Sequence, residues 1–215
     1  MPAPARRRPR QARSVQMKQR ILDAAAQVLA EQGYAAMTTN RVAARAEVSV
    51  GSLYRYFEDR HDLMEHLREA SSAATMAELT AAMVEAVALP PRAGVRLVVG
   101  TLVDSLERHG PVVRALIDEV PMGSHQNALP QLEGQLQQLA RVFVARQVPD
   151  LPAAEVDARV YLALGVTLNA CLRIALERPP DLDRDGLVEL LTDLLVLGLG
   201  MPPRGAPAAV PGREG

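Results

Sequence analysis

The stretch TTNRVAARAEVSVGSLYRYFEDR, residues 38–60, sets two short apolar-periodic segments around a tight break and then places Tyr54, Tyr56 and Phe57 within four positions. The chain of 215 residues holds 4 Tyr, 2 Phe and no Trp, so half of its aromatics fall in this one place. Thr38 is suited to cap a short helix through about Ala46, with Val42 and Ala43 on its inner face, and Ser49 to cap another through about Phe57. Glu47 and Val48 leave room between them only for a tight turn. Two short helices joined in this way, on a basic segment, fit a helix-turn-helix whose second helix enters the DNA major groove.

In a recognition helix running from Val50 to Tyr56, Leu53 and Phe57 are four apart and suited to face the first helix of the chain. Tyr54 and Tyr56 then project elsewhere, with hydroxyls free to meet phosphate oxygens. Arg55 is the leading base reader, because a guanidinium pairs with both acceptors on a guanine edge. Val50, Gly51 and Ser52 start the helix and lie closest to the groove, where Ser52 bonds and Val50 touches a thymine methyl. Thr38, Ser49 and Arg60 stand at or beside helix N-termini, where free amides and the helix dipole favour phosphate.

Working outward, Met17, Ile21, Leu22, Ala25, Val28 and Leu29 recur at helical spacing up to Gly33, a C-cap, with Ser14 as the N-cap. Residues 1–14, MPAPARRRPRQARS, contain Arg6, Arg7, Arg8, Arg10 and Arg13 without apolar periodicity and read as a disordered basic arm. That arm either grips phosphates or a neighbouring minor groove, or is a solubilising tail. Asp59 and Asp62 make a capping-box-like start to a long fourth helix reaching about Val87, before Pro90 and Pro91. Further helices are expected near 92–109, 111–119, 129–147, 153–177 and 184–199, and residues 201–215 as a disordered tail. The fold class is all-α, with about nine helices: a helix-turn-helix domain over 15–58 and a larger helical domain over 59–200.

Charge divides along the same line. Residues 1–60 carry 11 Lys or Arg against 5 Asp or Glu, and the remainder 13 against 20, so only the first part seeks an anionic partner. A single cysteine, Cys171, excludes an internal disulfide and points to a reducing cytoplasm. No secretion signal is expected, and the uncharged run from Val160 to Leu172 is too short and too polar for a membrane span.

The segment TTNRVAARAEVSVGSLYRYFEDRHDL, together with ILDAAAQVLAEQGY at 21–34, resembles the N-terminal signature of the TetR/AcrR family of bacterial transcriptional regulators. The resemblance covers about residues 17–65. It implies backbone contacts to DNA from Thr38, Ser49 and Arg60, and from Thr39 or Asn40. It also implies a nucleoid-associated homodimeric repressor on a two-fold-symmetric operator, released when a small molecule in the second domain shifts helix 4. Two positions depart from the pattern: Glu47 stands where most relatives have Gly, and Arg41 where an acidic residue is common.

The last two expected helices, about 153–177 and 184–199, are apolar on more than one face, which suits burial between two subunits. Residues of a type suited to an apolar or amphipathic ligand are Met76, Met83, Leu102, Leu116, Met122, His125, Phe143, Tyr161 and Asn169. No cofactor or metal is expected. His61, Asp62, Glu65 and His66 read as a solvated helix face, Cys171 lies in an apolar run, and no phosphate loop or nucleophile elbow occurs, so the chain is not read as an enzyme. The alternative function is an architectural or partner-regulated DNA-bound protein without a small-molecule ligand.

Overall fold

A computed structural model describes residues 8–119 and 130–201. Among the described residues there are nine α-helices and one short 3-10 turn. They are α1 (Arg8–Gln32), α2 (Thr39–Arg45), α3 (Val50–Tyr54), α4 (Arg60–Ala86), α5 (Pro91–Arg108), α6 (Gly110–Glu119), α7 (Pro130–Gln147), α8 (Ala153–Leu176) and α9 (Arg184–Gly198), with the 3-10 turn at Tyr34–Ala36. The all-α expectation and most of the boundaries match. α1 differs: it starts at Arg8, so Ser14 lies inside the helix rather than capping it. The sequence between them holds no helix breaker other than Pro9, which is tolerated within the first turn.

The chain forms two compact units, Met1–Ala74 with His109–Met122 and Thr75–Arg108 with Gly123–Gly215. The division differs from a boundary at 58/59 in two respects, each with a packing reason. Leu63, Met64 and Leu67 of α4 are buried in the first unit's core beside Phe57, and Val112 and Ala115 of α6 join the same core. The rest of that core comes from α1, through Ile21, Leu22, Ala25, Val28 and Leu29, and from Val42, Ala43, Ala46 and Leu53. Gly33 ends α1 at φ 74, a backbone region that glycine enters without a Cβ penalty, while its N–H bonds to the Leu29 carbonyl at 3.0 Å.

In the second unit α5 packs against both α8 and α9, and α7 against α8. Val95, Val99, Leu102, Val103 and Leu106 supply the buried face of α5, and Val188, Leu191, Leu195 and Val196 that of α9. Ion pairs flank this contact. Arg92 bonds Glu189 at 2.5 Å and Asp193 at 2.7 Å, Arg96 also bonds Glu189, and Arg184 bonds Glu107 at 3.1 Å and Asp104. Arg96 and Arg92 together hold the Glu189 carboxyl below the usual carboxylate range. These pairs are solvent-screened, so the apolar faces supply most of the stabilisation and the charges fix how the helices align.

α8 is long and apolar enough to cross a bilayer by length and composition alone. Its Val156, Val160, Cys171 and Ile174 are buried within the unit, while most of its apolar length is exposed. Burial also pushes the Cys171 thiol up to about 12, leaving it protonated and unreactive.

Backbone and ring approach each other closely at Gly94. A Cβ built there would stand 2.9 Å from the Ala86 carbonyl oxygen and 3.0 Å from the Phe143 ring. Gly94→Val should therefore lower stability by about 1–3 kcal/mol through overpacking, read as a lower urea midpoint with an unchanged slope.

Candidate nucleic-acid interface

α2 and α3 are too short to persist alone, so their ends are fixed by caps and their positions by burial. The Thr38 hydroxyl accepts from the Arg41 amide at 3.3 Å, and the Ser49 hydroxyl accepts from the Ser52 amide at 3.1 Å. Arg41, lacking a carboxylate to complete a capping box, instead donates to the Ala36 carbonyl at 3.0 Å. Asp59 caps α4 by accepting from the Asp62 amide at 2.8 Å, and Asp62 in turn accepts from the Glu58 amide at 2.9 Å.

Leu53 and Phe57 are 0% and 1% exposed and pack with α1. Their burial leaves Val50, Gly51, Tyr54 and Arg55 facing solvent, with Ser52 half-buried. α3 stops at Tyr54, short of the expected Tyr56, so Arg55 is its C-cap and Tyr56 lies in the following turn. Spacing alone predicts free tyrosine hydroxyls, whereas both have protein partners. Tyr54 shares a hydrogen bond of 3.2 Å with Thr39, tying α3 to α2. Tyr56 is half-buried, its hydroxyl meeting the side chains of Ser14 and Arg55, which hold its pKa below the usual phenol value.

The remaining basic groups divide into engaged and open ones. Arg45 bonds Glu31 on α1 at 2.7 Å, and Arg20 donates to the Glu47 carbonyl at 3.0 Å. Arg60 lies over the Tyr34 ring, 4.4 Å from its centroid, at the start of α4. Asn40 is exposed beside the α2 N-terminus. Thr38, Thr39, Asn40, Ser49, Val50, Gly51, Ser52, Tyr54, Arg55, Tyr56 and Arg60 all belong to the first unit.

The proposed ligand residues separate. Met83, Leu102 and Phe143 are buried in the second unit's core. Phe143 is wedged against Gly94, which makes it a packing residue. Tyr161 is 67% exposed and Asn169 is also exposed, so both lie on the outer face of α8 and do not line its packed side. Met76 is half-buried; Met122, His125 and the Leu116 side chain lie outside the described residues. Sequence reasoning passed over Ser105, fully buried and paired with Thr75 at 2.9 Å in the second unit. The available signal was a lone hydroxyl among Leu102, Val103 and Leu106.

The geometry is that of a helix-turn-helix DNA-binding segment. Residues 21–67 match the family described as bacterial regulatory proteins, tetR family. Over 48 residues the chain is 46% identical to an uncharacterized HTH-type transcriptional regulator, YvkB of Bacillus subtilis, which covers 22% of this chain and 25% of YvkB. The wider fold is similar to a tetR-family regulator from Streptomyces coelicolor, with TM-score 0.66 at 19% identity, covering 85% of this chain and 80% of that one. It is also similar to the regulator FadR of Bacillus subtilis in complex with stearoyl-CoA, with TM-score 0.62 at 18% identity, covering 84% and 98%. The N-terminal segment thus matches the tetR-family description, and the wider fold is similar to that of solved tetR-family regulators.

Within this segment Glu47 occupies the inter-helix turn at φ 55, the only described non-glycine residue with positive φ. A left-handed conformation costs an L-residue roughly 1–2 kcal/mol, part of which glycine gives back in unfolded-chain entropy. Glu47→Gly should raise stability by about 1 kcal/mol, whereas Glu47→Ala, which keeps the strain, should not; chemical denaturation of the two variants separates these outcomes.

Proposed function

We propose that the protein is a homodimeric, sequence-specific DNA-binding repressor. The observation that carries this reading is the solvent-facing side of α3, with Val50, Gly51, Ser52, Tyr54 and Arg55 held outward because Leu53 and Phe57 are buried behind them. Ser52 and Val50 read base edges at the helix start, and Arg55 reads a guanine from its end. Thr38, Thr39, Asn40, Ser49, Tyr54, Tyr56 and Arg60 hold phosphates, with the capped N-termini of α2 and α3 supplying amides.

The dimer reading rests on the outer faces of α8 and α9. Tyr161, Leu162, Val166, Leu190, Leu194 and Leu197 are each at least half exposed, an apolar stripe of the kind that a second copy covers. A two-fold-symmetric operator follows, since two recognition helices related by that symmetry read inverted half-sites.

The effector belongs in the second unit, and the shortage of aromatics there favours an aliphatic or acyl-like molecule over a flat polycyclic one. The FadR relative holds an acyl-CoA, which accords with that class. Release requires the effector to prefer the conformation that does not fit the operator; equal affinity for both would shift nothing. In this reading α4, which contributes residues to both units, transmits the shift.

Selection from random duplexes tests the reading: the purified chain should enrich a two-fold-symmetric site, and an enriched site without that symmetry would remove the dimer from it. On the enriched site Arg55→Ala should cost about 1–3 kcal/mol and relax one base position. Equal loss on a scrambled duplex would make Arg55 a phosphate contact. An acyl-type effector should raise the melting temperature while lowering operator occupancy.

A further inference from the structure

The turn between α2 and α3 has the hydrogen bonds of a glycine cap but no glycine. Beyond α2 the Glu47 amide donates to the Ala44 carbonyl at 3.1 Å, and the Val48 amide donates to the Ala43 carbonyl at 3.0 Å. These two bonds close a Schellman motif around a left-handed residue, usually a glycine. Here that residue is Glu47, at φ 55. The motif's own bonds are the same for glutamate as for glycine, so they do not offset the strain that a Cβ brings. One further bond, from outside the motif, meets that strain.

The Arg20 guanidinium, on α1, donates to the Glu47 carbonyl at 3.0 Å. That carbonyl and the Val48 amide belong to a single planar peptide unit. The plane is therefore held at both polar ends, by Ala43 of α2 through its N–H and by Arg20 of α1 through its C=O. Its orientation sets ψ of Glu47 and φ of Val48, and Ser49, the cap of α3, follows at once. Arg20 also places a cation just past the C-terminal end of α2, where the helix dipole favours one. Ile21, the next residue along α1, is fully buried in the core that Leu53 and Phe57 share, so the turn and the buried side of α3 are referred to one helix. A second tie joins α1 and α2, from Arg45 to Glu31 at 2.7 Å. It links side chains alone, so it aligns α2 without fixing the peptide that leads into α3.

We propose that Arg20 is a positioning residue for the DNA-reading helix. By holding the Glu47 carbonyl it keeps a turn without glycine in its left-handed form, and so sets the direction in which the chain enters α3. The inference rests on α3 as the reading helix, and gives an arginine of α1 a part in sequence recognition without a contact to DNA.

The test makes Arg20→Ala in the full chain in three backgrounds: wild type, Glu47→Gly and Glu47→Ala. Each protein is titrated between about 50 and 200 mM salt with the duplex enriched by selection and with a scrambled duplex of the same composition, and its urea midpoint is measured. In the wild-type background Arg20→Ala should weaken binding to the enriched duplex about tenfold, the scale of one charge-assisted hydrogen bond. Binding to the scrambled duplex should fall far less, and the slope of log K against log salt should stay the same. Arg20→Lys, which keeps a donor, should recover most of the lost selectivity. The cost should largely vanish with Glu47→Gly, which reaches the left-handed conformation unaided, and remain in full with Glu47→Ala, which keeps the strain but lacks the carboxylate.

A cost that disappears in both Glu47 backgrounds would overturn the proposal by making the contact one between opposite charges, and a cost equal in all three would overturn it by uncoupling Arg20 from the turn. Equal loss on both duplexes with a shallower salt slope would make Arg20 a phosphate contact instead. A lower urea midpoint with an unchanged ratio between the duplexes would reduce it to a stabilising residue and also overturn the proposal. If the wild type enriches no sequence, the reading of α3 fails, and the urea midpoints alone judge the turn. The role of Arg20 there stands if Arg20→Ala lowers the midpoint less with Glu47→Gly than with Glu47→Ala, and falls if it does not.

Discussion

Leu53 and Phe57, buried in a core that α1 also lines, are the contact on which the outward face of α3 depends. α3 is a five-residue helix with too few backbone hydrogen bonds to hold its own direction. Burying one side fixes the rotation of the helix about its axis, and that rotation decides which residues face outward. The caps then set where the helix begins: Ser49 accepts from the Ser52 amide, and the Thr39–Tyr54 hydroxyl pair ties the helix to its neighbour. The outward placement of Val50, Ser52 and Arg55 thus relies on apolar contacts behind them.

The second unit aligns its helices by a different combination. α5 packs two neighbours and carries arginines on its exposed flank that pair with acidic residues of α9. Arg184, at the start of α9, makes the reciprocal pairing with Asp104 and Glu107 of α5. Such pairs contribute little individually but penalise a slip of one helix along the other, since a shift would set like charges together. Gly94 completes the arrangement by letting the Phe143 ring approach α5 closely.

The helices were legible because Pro, Gly and capping residues punctuate a chain with strong 3.6-residue periodicity. The boundaries missed are those set by tertiary contact. α1 extends beyond its apolar stripe because Ser14 finds Tyr56, a partner 42 positions away that local pattern does not reveal. α6 has an apolar face like any other helix, and only packing assigns Val112 and Ala115 to the first unit's core. The outward positions of α3 were legible from spacing, but the Thr39–Tyr54 bond and the positive φ of Glu47 were not. A glycine would have announced that conformation; a glutamate conceals it. Residue type alone did not reveal that Phe143 packs against Gly94 or that Tyr161 stands on the outer face of α8.

The uneven placement of aromatics has an optical consequence. With no Trp in the chain, ultraviolet fluorescence above the phenylalanine background comes from tyrosine alone, and the four tyrosines are Tyr34, Tyr54, Tyr56 and Tyr161. Three lie in or beside the helix-turn-helix, under Arg60, against Thr39 and against Ser14, and the fourth stands on the exposed stripe of α8. The unlabelled polypeptide therefore carries its own chromophores at both surfaces proposed to meet another macromolecule, and replacing Tyr161 with Phe assigns the remaining emission to the first of them.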